Sequence, residues 1–315
     1  MLRIFWLLCL FVPGVILSPA VRSAHASGPL ISYETRLMVF SPHPDDETLG
    51  VGGLIQRVLS AGGKVEVVFM TDGEGYAGGV EKEDHTSHPT VKDYRDYGAL
   101  RRSEALKAAA TLGLRSQDVS FLGFPDDGLY YLRTTFFRSR LSFLSPATME
   151  NRPPKSERII PDATYTGREL LKEMERLLAR FRPTLLATTP ALDWHPDHNS
   201  TYFFVKKALV YWQSKNPKPG PELITFLIHF GKWPPPQGSG ADSPLEPPPY
   251  SPGNIRWLSF PLTPREVEIK RKAILEYRSQ MLVMGSYLMS FARGNELYML
   301  DKGRRQKSRA GRAQK

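Results

Sequence analysis

A chain of 315 residues with 41% hydrophobic content can bury a full core, and its length suits one large domain with loop insertions or two small domains, of which we take the former. The single cysteine, Cys9, falls inside a leader-like segment, so the mature chain has no thiol and a disulfide framework is excluded. Much of the formal net charge of +10 is a tail, residues 301–315, with seven Lys or Arg against one acidic residue; no aromatic-interleaved groove or nucleic-acid motif accompanies it, which excludes specific nucleic-acid binding.

In chain order, Met1 to Ala26 carries Arg3, an apolar run from Ile4 to Leu17 and an A-x-A site at Ala24-His25-Ala26. This pattern predicts a secretory signal peptide and a secreted or periplasmic protein. The alternative, an uncleaved membrane anchor, meets a run shorter than the ~20 residues of a spanning helix and interrupted by Pro13 and Gly14. No later segment is long and apolar enough to span a bilayer.

Leu37 to Phe40 reads as a short buried strand and Glu47 to about Ala61 as a helix. Between them lies Ser41-Pro42-His43-Pro44-Asp45-Asp46-Glu47, a strand-to-helix turn of the kind that gathers polar side chains at the carboxyl edge of an open α/β sheet. His43 offers an imidazole nitrogen, and Asp46, three residues on across a turn stiffened by Pro44, offers a carboxylate oxygen; both suit a Zn²⁺-like ion. Asp45 cannot share the direction of Asp46 and is left free to act on a water as a general base. Gly50-Val51-Gly52-Gly53 does not complete a dinucleotide fingerprint; small residues here let the helix approach the site closely.

Lys64 to Met70 predicts a second buried strand, and Thr71 to about Thr90 a glycine-rich loop whose His85 and His88 are read as exposed. Asp93 to Leu112 predicts a helix with Arg101 and Glu104 one turn apart, and Val119 to Leu122 a third strand. The following Asp126-Asp127-Gly128 has turn chemistry. Residues from about 129 to 161 form an insertion without clear periodicity, a lid, a glycan-facing wall or ornament. Thr166 and Glu169 make a capping box for a helix over Leu170 to Phe181, and a strand follows at Leu185 to Thr188.

After that strand comes His195-Pro196-Asp197-His198, with the same spacing of three as the first cluster, and then a helix from about Asn199 to Gln213. Leu223 to Phe230 predicts a strand whose His229 is read as a satisfied core or strand-end histidine; about 233–253 is a proline-rich loop; a helix capped by Thr263 runs to about Gln280. Two histidine and aspartate clusters after two separate strands predict a three-ligand metal site of His43, Asp46 and one histidine of the second cluster, with a fourth position open as in catalytic zinc sites. Spacing alone does not choose between His195 and His198.

The chain resembles the PIG-L/LmbE-like zinc N-deacetylases. It carries their SPHPDDE-type and HPDH motifs complete, together with Met70-Thr71-Asp72-Gly73-Glu74-Gly75, Arg101-Arg102-Ser103-Glu104 and Phe121 to Gly128, so that the likeness extends over roughly residues 35 to 230. The resemblance implies a Rossmann-like, mostly parallel sheet flanked by helices in a single α/β domain, spanning 27–300. It also implies zinc held by His43, Asp46 and His198, and Fe²⁺ would fit the same donors. In its terms Asp45 is the base, protonated His195 stabilises the oxyanion with Asp197 orienting it, and Arg101 and Asp126 contact the sugar. The substrate implied is an N-acetylglucosamine-type sugar in a glycan, glycoside or glycolipid. Two other readings stand beside it: a metal hydrolase of another N-acyl or ester bond, and a non-catalytic carbohydrate-binding protein of the same fold. The basic tail is read as a weak contact with an anionic envelope or glycan, and oligomeric state is open.

Overall fold

Alternation of side chains along the central strand sets up two apolar layers. In β1 (Arg36–Ser41), Leu37 and Val39 enter one core and Met38 and Phe40 the other, all fully buried. The computed structural model describes residues 30–216, 219–235, 243–253 and 255–300. The predicted signal peptide, the basic tail and parts of the proline-rich loop lie outside the described residues. Among the described residues no helix is long and apolar enough to cross a membrane.

β1 pairs in parallel with β2 (Lys64–Thr71) on one side and β4 (Leu185–Thr188) on the other. Outside these lie β3 (Val119–Phe124) beyond β2 and β5 (Glu222–Phe226) beyond β4, both parallel. Two further strands, β6 (Trp257–Pro261) and β7 (Asn295–Leu300), complete the order β3-β2-β1-β4-β5-β7-β6, with β7 antiparallel to both neighbours. The chain direction of sheet growth reverses between β1 and β4, which is where open α/β sheets offer a crevice at the strands' carboxyl ends.

One face carries α1 (Asp46–Ser60), α3 (Val91–Thr111), α7 (Pro264–Glu276) and α8 (Arg278–Met289); the other carries α4 (Leu129–Arg133), α5 (Gly167–Phe181) and α6 (Pro196–Lys215). A short α2 (Ala77–Glu83) lies inside the predicted glycine-rich loop. The predicted α/β class and mostly parallel sheet are therefore found. The predicted helix to Gln280 is two helices, because the backbone breaks at Tyr277, whose hydroxyl donates to Glu47 in the first turn of α1. β5 ends at Phe226 instead of Phe230 because the Ile228 and His229 N–H groups donate to the Asp193 carboxylate (3.1 and 3.0 Å) in place of a strand. The insertion contributes Phe136, Phe137 and Phe143 to the second core.

α1 is kinked at Val51 (φ −137°, ψ 16°), which frees the N–H groups of Gly53 and Leu54; both donate to the buried Glu296 carboxylate at 2.7 and 3.0 Å. A Cβ on Gly50 would come within 2.0 Å of the Phe226 ring. Small residues here do bring the helix onto the sheet, as the spacing predicts.

Candidate active site

The first turn is built by its own side chains. Ser41 Oγ donates to the His43 carbonyl (2.9 Å) and accepts from the Glu47 N–H (3.1 Å), while Asp46 Oδ2 accepts from the His43 N–H (3.0 Å). Glu47 closes the loop by accepting the Asp45 N–H at 3.1 Å. The result is a backbone at Asp45 with φ 125° and ψ −35°, a region L residues rarely adopt. Strain of this kind, on the order of 1–3 kcal/mol, persists where the surroundings over-determine it. Here Arg101, only 3% exposed, is the clamp: it donates to the carbonyls of Gly73 (2.8 Å) and Pro44 (2.7 Å), and its Nη2 lies 3.5 Å from Asp45 Oδ2. Gly73, at φ +67°, has to be glycine, since a Cβ would fall 1.8 Å from the Arg101 guanidinium.

The second turn brings His198 to the same point. His43 Nδ1, Asp46 Oδ2 and His198 Nε2 form a triangle with sides of 3.2, 3.1 and 3.1 Å. The far nitrogens explain why this triangle is open to a cation. His43 Nε2 lies 3.0 Å from Asp126 Oδ1 and His198 Nδ1 lies 3.1 Å from Asp193 Oδ2, so each ring has a carboxylate within ion-pair distance on its outer side, which favours a proton there. Once both rings are neutral, as a bound cation requires, two imidazole lone pairs and a carboxylate oxygen face one another. Three such donors suit a Zn²⁺-like ion at ~2.0–2.1 Å, whose tetrahedral ligands stand about 3.3 Å apart. Burial opposes a charge on either ring, yet the surrounding carboxylates outweigh it: Asp126 in chief raises His43 well above the usual value, and Asp193 and Asp46 push His198 up to about 9. The cluster is an electron-rich cage that calls for positive charge.

His195 differs from His198 although they are three residues apart. It caps α6, and its Nδ1 accepts the Asp197 N–H at 3.3 Å, which leaves the ring proton on Nε2. Burial, reinforced by His43 and His198, depresses it to about 2, which favours a neutral N–H donor where the resemblance implied an imidazolium. Nor does the Asp197 side chain orient it. That carboxylate accepts from Asp127 N (2.8 Å) and Leu129 N (3.0 Å), and its Oδ2 is 3.6 Å from His43 Nε2.

His43, Asp45, Asp46, Arg101, Asp126 and His195 of the predicted set line one cavity of about 240 Å³, with His198 buried behind them. Two carry different contacts from those expected of substrate ligands. Arg101 is committed to the Asp45 loop, and Asp126 spends Oδ1 on His43 and Oδ2 on the Gly75 N–H (2.9 Å). Burial pushes Asp45 up to about 8 against the pull of Arg101. His85 and His88 stay outside the cavity, as expected.

The sequence reading missed three parts. Asp193 sits two residues before the motif and binds His198 as well as three backbone N–H groups, those of His195, Ile228 and His229. His229, read as structural, lines the cavity beside His198 and stacks on Tyr287, with ring centroids 5.7 Å apart. Gln280, Met284, Tyr287 and Leu288 of α8 form a whole wall. α8 is fixed there by Glu104, whose carboxylate accepts both the N–H and the hydroxyl of Ser279 (2.9 and 2.6 Å). The Arg101 and Glu104 pair was the available signal for this, read toward the substrate.

Comparison with known proteins matches residues 38–209 to the family model described as PIG-L: GlcNAc-PI de-N-acetylase. A 1D-myo-inositol 2-acetamido-2-deoxy-alpha-D-glucopyranoside deacetylase of Mycobacterium sp. (strain KMS) is 30% identical over 203 residues, 63% of this chain and 58% of that protein. Its counterpart, deacetylase 1 of Saccharopolyspora erythraea, is 31% identical over 169 residues, 52% of this chain and 50% of that protein. The chain thus spans about half the length of these curated relatives. Among solved structures, the antimicrobial reagent A40926 pseudoaglycone deacetylase superposes with a TM-score of 0.54 at 17% identity, over 85% of this chain and 97% of that one. A deacetylase in complex with teicoplanin superposes with a TM-score of 0.52 at 17% identity, over 84% and 98% of the two chains. These two likenesses concern the fold.

Proposed function

The chain belongs to the PIG-L family, and from that premise we propose that it is a metal-dependent N-deacetylase that hydrolyses the acetamide of an N-acetylglucosamine-type sugar. The observation that carries the reading is the triangle of His43 Nδ1, Asp46 Oδ2 and His198 Nε2 with Asp45 on the same cavity wall. His43, Asp46 and His198 would hold one divalent ion, Zn²⁺ or Fe²⁺, which when bound supplies Lewis-acid polarisation of the acetamide carbonyl and acidifies a nearby water.

The chain's own residues do the rest. Asp45, steadied by Arg101 and made more basic by burial, takes the proton of the attacking water. His195 Nε2–H donates to the oxygen that becomes negative as the carbonyl is attacked, and because it is neutral it does so without a counter-ion. Asp45 then returns its proton to the departing amine. Asp126 and Asp193 hold the two ligand histidines in the tautomer that leaves their inner nitrogens unprotonated. Asp197 holds the loop after β3 against the site through Asp127 and Leu129. Export through the Met1 to Ala26 segment is part of the same reading, supported by its Arg3, apolar run and A-x-A site.

Acetate release from a panel of N-acetylglucosamine glycosides and glycolipids, run beside Asp45→Asn, tests it. Metal-loaded protein is expected to release acetate, and the variant to keep its metal and lose turnover by about 10²–10⁴-fold. No release from any member, with one ion tightly bound per chain, would move the reading to a different acyl group or to carbohydrate binding alone.

A further inference from the structure

A second cavity, of about 380 Å³, opens on the other side of the wall formed by Glu74 and Asp126. That wall is reciprocal: Gly75 N donates to Asp126 Oδ2 (2.9 Å) and Asp126 N to Glu74 Oε1 (3.1 Å). The cavity lies between the ends of β2 and β3, the outer face of α3 and the 148–158 segment of the insertion, and its lining shares no residue with the catalytic cavity. Its volume falls within the range of small-ligand sites, which begins at about 300 Å³.

Its floor and rim ask for opposite things. On the floor Asp72 and Glu74 are 5% and 6% exposed, and Asp72 Oδ1, Glu74 Oε2 and the hydroxyl oxygen of Thr148 have no hydrogen-bond partner. Their other oxygens are committed, that of Asp72 to Arg102 and that of Glu74 to Asp126. Glu157 stands 3.0 Å from the same Arg102 and against Asp72, and burial together with Asp72 pushes it up to about 8, so the floor carries more carboxyls than guanidinium and shares a proton of its own. Buried acceptors left open in this way require donors, O–H or N–H, from whatever fills the cavity. The rim is basic. Arg152, Lys155 and Arg158 line it, and among the described residues none has a carboxylate within ion-pair distance: Arg158 donates to the Pro153 and Pro161 carbonyls and Arg152 to Asn151. Cations without an anionic partner at a cavity mouth suit a phosphate or carboxylate. A metal ion is the poorer occupant, since the groups of converging ligand atoms among the described residues all lie at the catalytic site.

We propose that this second cavity binds an anionic saccharide unit, with ring hydroxyls donating to Asp72, Glu74 and Thr148 and a phosphate or carboxylate facing Arg152, Lys155 and Arg158. The site stands independently of the deacetylase reading. Isothermal titration of the full chain with glucose 6-phosphate, glucuronic acid, glucose and inorganic phosphate tests it. One of the two anionic sugars binds at one site per chain, and which of them binds tighter tells phosphate from carboxylate. Its affinity falls by about tenfold or more in the rim double variant Lys155→Ala/Arg158→Ala and in Glu74→Gln, and is unchanged in His195→Ala. No binding of either sugar below about 10 mM overturns the proposal, as does inorganic phosphate binding equally well, which would reduce the site to a basic rim. Binding lost in His195→Ala, or kept in the rim variant, would place the ligand elsewhere.

Discussion

The two turns that build the site carry similar letters and work differently. In the first, from Ser41 to Glu47, the side chains of Ser41, Asp46 and Glu47 bond to the backbone of that same turn, so its shape is set by residues next to one another in sequence. In the second, His195, Asp197 and His198 stand at a helix start, where each residue turns about 100° from the last. His195 caps the helix, and Asp197 and His198 lie in its first turn about 100° apart, so Asp197 faces the β3–α4 loop while His198 faces the metal triangle. The partner His198 does use, Asp193, comes from the loop before the helix. A contiguous motif in a loop can be read residue by residue; the same motif on a helix has to be read by angle.

The largest expected effect comes from removing the point the two turns share. Asp46→Ala takes away one of three converging donors and leaves the His43 and His198 inner nitrogens facing each other without their anionic partner. Metal content by elemental analysis should drop to near zero, and deacetylation with it, by on the order of 10³-fold or more. Near-stoichiometric metal in this variant would show that the triangle is not the binding site.

The comparison itself is sharpened by a matched pair in the second turn. Asp193→Asn loosens the outer hold on His198 and should weaken metal affinity about 10–100-fold. Asp197→Asn leaves His198 alone and disturbs the hold on Asp127 and Leu129, so it should cost about 1–3 kcal/mol of stability with a smaller change in metal affinity. Metal competition titrations and thermal unfolding separate the two. If Asp197→Asn lost metal as badly as Asp193→Asn, the angular account of the helix would fail.

What was legible follows the same division. The strands β1, β2, β3 and β4 could be read because each is a short apolar run with no competing signal, and the first turn because its chemistry is local. The end of β5 could not, since Asp193 replaces its sheet partners from 35 residues away. α8 was hidden for another reason: Met284 and Leu288 look like core residues, and only the tertiary bond from Glu104 to Ser279 turns them toward the cavity. β7, with its apolar run from Leu297 to Leu300, was not read as a strand, although Glu296 on it anchors the kink of α1. Asp126, given a sugar-contacting role by the resemblance, lines the cavity and also stands 3.0 Å from His43, a contact between residues 83 positions apart that the sequence could not show.

The smallest effect sought is one of pH, and it separates His198 of the second turn from its neighbour His229, which follows β5. His198 and His229 have ring centroids 4.9 Å apart yet shift in opposite directions. His198 has two carboxylates against it and rises to about 9; burial, aided by the charge on His198, lowers His229 to about 4. Linkage fixes the sign for the metal-free protein. As pH falls from about 6.5 to 4, unfolded chains protonate residue 229 while folded ones do not, so its contribution to stability is lost across that window, on the order of 3 kcal/mol at most. His198 is protonated in both states there and contributes no slope; its own contribution disappears only as pH rises toward 9. Metal-free wild type should therefore lose unfolding temperature more steeply between pH 6.5 and 4 than His229→Gln, with the two curves parallel above pH 7. Equal slopes in the acid window would mean that His229 is not kept neutral by its place beside His198, and that the second turn reaches no further than its own four residues.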